Sequence, residues 1–184
     1  MRKMLILMTC ATALASCNKG PQVNLRNASV NEVSAAVRQS GVASSASMVE
    51  PGLWQSKVTI QEMTIPGLPP QFAAKMKQSM AEHQQQASTH CLSTADAKKP
   101  REDFFAGNKA CTYQHFTMGA GKIDIQMVCK EPETVQSTSV TGSYTPTSYS
   151  IDMSSTGSDG AQKGMNMEMH VDAQRVGECT GSGN

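Results

Sequence analysis

The sequence predicts an α+β fold dominated by antiparallel strands: a meander forming a curled sheet or half-barrel, with one or two helices and two disulfides. Three observations lead there. The C-terminal half is a succession of strand-like segments joined by short glycine-, proline- and serine-containing links. A single stretch near the middle carries a helical apolar stripe. Once a leader and its lipid-acceptor cysteine are set aside, four cysteines remain, an even number that suits an exported, disulfide-stapled chain.

The leader comes first. Met1-Arg2-Lys3 is a positive start, Met4 to Ala13 is apolar but too short to span a bilayer, and Leu14-Ala15-Ser16-Cys17 resembles the lipobox of bacterial lipoprotein precursors. Small residues before the cut suit the peptidase, and the Cys17 thiol accepts the diacylglycerol. Residues 1–16 are therefore expected to leave as signal peptide, with Cys17 as the lipidated, membrane-anchored N-terminus. Asn18 stands where an inner-membrane retention aspartate would stand, so the expected address is the periplasmic face of the outer membrane, ahead of the inner. Residues 17–50 are polar and serine/alanine-rich and read as a flexible tether reaching roughly 30 Å. Within it, Ser29 and Glu32 have capping-box spacing, and Val30, Val33 and Val37 share a helical face ahead of Gly41.

The domain is expected over 51–180, with 181–184 a disordered tail. Pro51-Gly52 is a turn, and Leu53 to Met63 reads as a strand with a phase slip near Ser56. Pro70 opens a helix to about Gln86 with Phe72, Met76, Met80 and His83 on one stripe. A short helix starts at Ser93 or Thr94 and stops before Pro100. Strands follow at Cys111–Met118, Lys122–Lys130, Thr134–Tyr144, Ser148–Ser155 and Met165–Gly177, the last pair separated by a Gly/Ser/Asp-rich loop from Thr156 to Gly164.

Gly119-Ala120-Gly121 reads as a three-residue hairpin loop. Centred on Ala120, it places Cys111 opposite Cys129, Tyr113 opposite Met127 and His115 opposite Ile125. Cys111–Cys129 is then one disulfide and Cys91–Cys179 the other. With no Cys-x-x-Cys pair, these read as structural staples.

Composition excludes some functions. Without Arg2 and Lys3 the chain has 14 basic and 15 acidic side chains, and no basic patch suggests nucleic acid. No His-Glu-x-x-His, nucleophile elbow or phosphate-binding glycine loop is present, so no catalytic residue and no cofactor is assigned. The sharpest local feature is Met165-Asn166-Met167-Glu168-Met169-His170. In a strand the three methionines share a face. They read as core in a chain with only 4% aromatic residues, or as thioether ligands for Cu(I).

Pro51-Gly52-Leu53-Trp54, Cys91-Leu92-Ser93 and Arg175-Val176-Gly177-Glu178-Cys179, with the cysteines between, resemble the domain-of-unknown-function family numbered 3617 of proteobacterial exported proteins and lipoproteins. Members often have proline where this chain has Glu178. The resemblance implies a fold and an address but no activity. The leading expectation is a non-enzymatic, membrane-tethered periplasmic protein binding a small apolar molecule or an envelope protein. Copper or other soft-metal handling at Met165, Met167 and Met169 is the alternative, and a hydrolase with an unpatterned site is the third.

Overall fold

Strands take over most of the described residues because the apolar side chains recur with period two. The computed structural model describes residues 20–42, 49–84, 87–98, 110–160 and 163–179. In chain order the elements are β1 (Gln22–Ser29), α1 (Val30–Ser40), β2 (Gly52–Thr64), α2 (Pro70–Gln84), β3 (Ser88–Leu92) and α3 (Thr94–Lys98). Five long strands follow: β4 (Cys111–Gly119), β5 (Lys122–Glu131), β6 (Thr134–Thr145), β7 (Ser148–Gly160) and β8 (Asn166–Gly177). They form one eight-stranded antiparallel sheet in the order β1-β4-β5-β6-β7-β8-β2-β3. The expected meander is its centre, and the sheet is open, with β1 and β3 at its edges.

The tether expectation is corrected over residues 22–42. Residues 22–29 form an edge strand whose Val23 pairs with Met118 and whose Ala28 pairs with Tyr113. α1 follows at once, closed by the Ser29–Glu32 capping box and ended by Gly41 in the left-handed region. Val30, Val33 and Val37 are buried, and each contributes roughly 1.5 kcal/mol or more of apolar burial. That burial orders a helix too short to be stable alone. The polar look of 22–29 hid the strand because its alternation is interrupted at Asn27, which has φ 49°. The expected leader 1–16, Cys17 and the tail 181–184 lie outside the described residues.

The first hairpin corrects the register while keeping its conclusion. Gly119 pairs with Lys122, so the loop is the two residues Ala120-Gly121, both with positive φ, as a tight hairpin turn requires. This shifts the pairing by one, and Phe116 rather than His115 faces Ile125. A bulge at Gln114 then shifts it back, so Tyr113 meets Met127 and Cys111 meets Cys129 as expected. Both disulfides are present, Cys111–Cys129 and Cys91–Cys179. In β2 no slip occurs at Ser56. Trp54, Ser56, Val58 and Ile60 alternate without a break, and the irregularities lie between Leu53 and Trp54 and between Ile60 and Glu62. β7 runs on to Gly160 through residues expected to be loop, and β3 is a strand the sequence reading left out.

Pairing registers carry one apolar face across the sheet. Phe116, Ile125, Val140, Met153, Met169 and Ile60 form a single cross-strand row from β4 to β2. α1 packs on the β1–β4 end of this face. There Phe116, Met118, Ile123, Ile125 and Val140 are buried with the α1 valines in one core.

Candidate functional site

The apolar face changes character beyond β6. On β7, β8 and β2 it continues as Ile151 and Met153, Met167, Met169 and Val171, then Val58, Ile60 and Met63. Among the described residues of these three strands, only Trp54 and Ala173 are buried apolar residues on this face; Val58 is 40% exposed. α2 packs against β2, yet its Phe72 is 55% exposed and its Met76 and Met80 are only half-buried. Nothing is described for the side chain of His83, the fourth member of the expected stripe. Val58 and its partly buried neighbours thus leave this part of the face open to solvent, unlike the part beneath α1.

Methionines concentrate there. Met167 and Met169 are on the apolar face, as the period-two reading expects, and Met165 follows in phase, its carbonyl accepting from the N–H of Gly157. The register adds two the sequence reading did not join to them: Met63 lies opposite Met167, and Met153 opposite Met169. At one end the face turns polar. The Gln136 amide donates to Ser155 Oγ at 2.6 Å, and Thr138 Oγ1 lies 3.3 Å from the same oxygen. Ser155 stands opposite Met167.

The other face of β7 and β8 holds a cluster that sequence reading missed. His170 Nδ1 lies 2.6 Å from Asp152 Oδ1, and its Nε2 lies 3.0 Å from Asp172 Oδ2 and 3.4 Å from Ser150 Oγ. Ser150, Asp172, Lys57 and Gln174 line a shallow cleft of about 580 Å³ beside it. Serine, imidazole and carboxylate in line suggest a nucleophile, but the geometry opposes it. A base must have a free Nε2 to take the serine proton. Here each ring nitrogen faces a carboxylate, so both N–H groups donate and the imidazolium is favoured. The hydrogen bond to Asp152 is the main cause of the raised His170 pKa, with Asp172 adding to it against a desolvation penalty. The Asp172 pKa is lowered, first by a hydrogen bond from Ser150 and then by His170. The cluster is a charge-paired surface trio. Among the described residues, no group of three or more His, Cys, Asp or Glu is placed to hold a metal ion.

The three motifs singled out in the sequence converge at one corner. Gly52 pairs with Leu92, Leu53 with both Cys91 and Gly177, and Trp54 with Arg175. The Cys91–Cys179 disulfide closes the same corner. Arg175 Nε donates to the Pro51 carbonyl at 2.7 Å, and its guanidinium pairs with Glu178. Glycine is required at 52: its φ is 147°, and a Cβ would sit 2.5 Å from Arg175 Nε. Trp54 is buried, donates from Nε1 to the Glu50 carbonyl at 2.9 Å, and stacks on Tyr149 with ring centroids 5.8 Å apart. These residues serve as a clasp joining β2, β3 and the end of β8. Their chemistry is spent on the fold.

A family model described as "Protein of unknown function (DUF3617)" matches residues 49–179. No curated protein and no solved structure matches the chain.

Proposed function

The chain belongs to the DUF3617 family of proteins of unknown function, and on that premise we propose that it is a lipid-anchored, non-enzymatic protein of the bacterial cell envelope that binds a small lipid-like molecule. The binding surface is the bare half of the apolar sheet face on β7, β8 and β2. The observation that carries this reading is the exposure of Val58 and the incomplete burial of Ile60, Met153, Met169 and Val171 on a face that is buried beneath α1. Flexible methionine side chains conform to an alkyl chain without demanding a particular shape. Gln136, Thr138 and Ser155 stand at one end of that face, where a polar head would find hydrogen-bonding groups. The anchor is Cys17, and the expected address is the periplasmic face of the outer membrane. The doubly paired His170 fits a protein without a nucleophile.

Native mass spectrometry of the C17S protein exported to a periplasm tests the ligand. An added mass that organic extraction releases as an aliphatic compound is the expected result. A clean mass that stays clean after incubation with a fatty acid would overturn the reading.

A second reading has its own observation. The register places Met63 and Met153 opposite Met167 and Met169, so with Met165 five thioethers share one patch, a donor set suited to Cu(I). Copper uptake that disappears when Met165, Met167 and Met169 are all replaced by leucine would favour it. Uptake absent in the parent would dispose of it.

A further inference from the structure

We infer that the protein rests on the bilayer by one rim of its sheet, the rim formed by the β4–β5 and β6–β7 turns. This rests on the proposal that Cys17 carries the lipid. The sequence reading allows the domain to float roughly 30 Å off the membrane on a long tether. The structure removes that freedom, because the sheet begins at Gln22. Only residues 18–21 separate Cys17 from β1, and covalent geometry limits that span to roughly 18 Å at full extension.

The register then says which part of the sheet is held there. Gln22 pairs with Gly119, the last residue before the Ala120-Gly121 turn. The next turn along the same rim is tied to it, since the Tyr144 N–H donates to the Gly121 carbonyl at 2.8 Å. That second turn is Pro146-Thr147, and both of its residues are exposed. The opposite rim lies at the far end of strands 10 to 13 residues long, about 30–40 Å away at the usual rise per residue.

Charge points the same way. The near turns themselves, residues 119–122 and 145–148, carry a single charged side chain, the exposed Lys122. Beside the second turn lie exposed Glu50, whose N–H donates to the Pro146 carbonyl, and the Arg175–Glu178 pair. The far rim carries exposed Glu131, Glu133 and Asp159 with Lys163. An anionic headgroup layer attracts Lys122 at the β4–β5 turn, the part of the near rim next to Gln22, and repels the surplus carboxylates of the far rim. Two small polar turns and one lysine suit contact with headgroups rather than insertion into the acyl layer.

The test uses the full-length acylated protein in vesicles of phosphatidylethanolamine and phosphatidylglycerol containing a brominated phosphatidylcholine, which quenches nearby indoles. Flotation reports whether the protein is bound. The buried Trp54 of the parent supplies a constant background. In Pro146→Trp the added emission should fall by about half, as for an indole at headgroup level. In Glu133→Trp it should not fall. Lys122→Trp is a second near-rim probe should the Pro146 change disturb its turn. Flotation with equal quenching at both rims, or with none at either, would overturn the orientation while leaving the lipid anchor intact. Failure to float, with Cys17 unacylated by mass, would overturn the anchor and the orientation together.

Discussion

Beneath α1, Phe116 and Met118 are 0% exposed; farther along the same sheet face, Val58 is 40% exposed and Met153, Met167 and Met169 are half-buried. The first region sets Tyr113, Phe116 and Tyr144 among valines and isoleucines, and the second is richer in methionine. Both are apolar and one cross-strand row joins them, so apolar character does not separate them. What separates them is the cover. β1 and α1 supply it, and they precede the residues 49–179 that match the family. The matched segment thus builds an apolar face that extends beyond the reach of α1. A face kept apolar beyond its own cover costs solubility, and the proposed binding role would make use of it.

The sharpest way to break the comparison is to truncate one side chain from each region. Phe116→Ala should cost about 3–5 kcal/mol, since a fully enclosed ring is lost and a cavity remains. Met169→Ala, in the same cross-strand row, should cost less, about 1–2 kcal/mol, because its side chain is only partly enclosed. Urea unfolding midpoints would show the contrast, and equal losses would mean that the bare region is packed core.

Gly142 tests the boundary. It lies on β6 between Ile123 and Ile151, and a Cβ there would sit 2.3 Å from the Ser150 carbonyl oxygen. Gly142→Ala should therefore lower stability by about 1–3 kcal/mol through overpacking. A neutral result would indicate that β6 and β7 part easily at this point.

Ser29→Ala probes the cover itself. Losing the capping box should cost about 1 kcal/mol and raise amide hydrogen exchange first in α1. Exchange rising equally across β8 would show that the two regions are not separable.

The smallest effect belongs to the opposite face. The raised His170 pKa contributes stability in full below the ordinary imidazole value and loses it as pH rises through the raised one. The lowered Asp172 pKa contributes above the ordinary carboxylate value and loses it as pH falls through the lowered one. The trio therefore stabilises most in mildly acidic solution. Its partial exposure keeps this within about 1 kcal/mol. His170→Ala should flatten the pH profile of unfolding without changing ligand binding. An unchanged profile would remove the trio from the account.

Much of this fold was legible in the residues. The long strands, α2, α3 and both disulfides follow from alternation, turn chemistry and cysteine parity. The Cys111–Cys129 pairing matches the expectation because the bulge at Gln114 offsets a hairpin loop one residue shorter than Gly119-Ala120-Gly121 suggests. β1 was not legible, because Asn27 breaks its alternation and its value lies in pairing with β4, distant in sequence. The half-bare state of the apolar face was equally hidden. Alternation shows which residues share a face but not how far a helix covers it. The His170 trio needed the register of β7 on β8, where Asp152 meets His170. A loop centred within 156–164 would pair Asp152 with Glu168 instead.

The most direct test of the binding face is a titration with a fluorescent fatty acid of the C17S protein and two single-charge variants. Val58→Asp puts a carboxylate on the bare apolar face, and Val176→Asp puts one at a comparably exposed position, 49% accessible, on the other face. Saturable binding that survives Val176→Asp and falls at least about tenfold in Val58→Asp, the penalty of about 1.4 kcal/mol or more for an unpaired charge against an alkyl chain, is the predicted result. Binding that is absent in the parent, or unchanged by Val58→Asp, would contradict it.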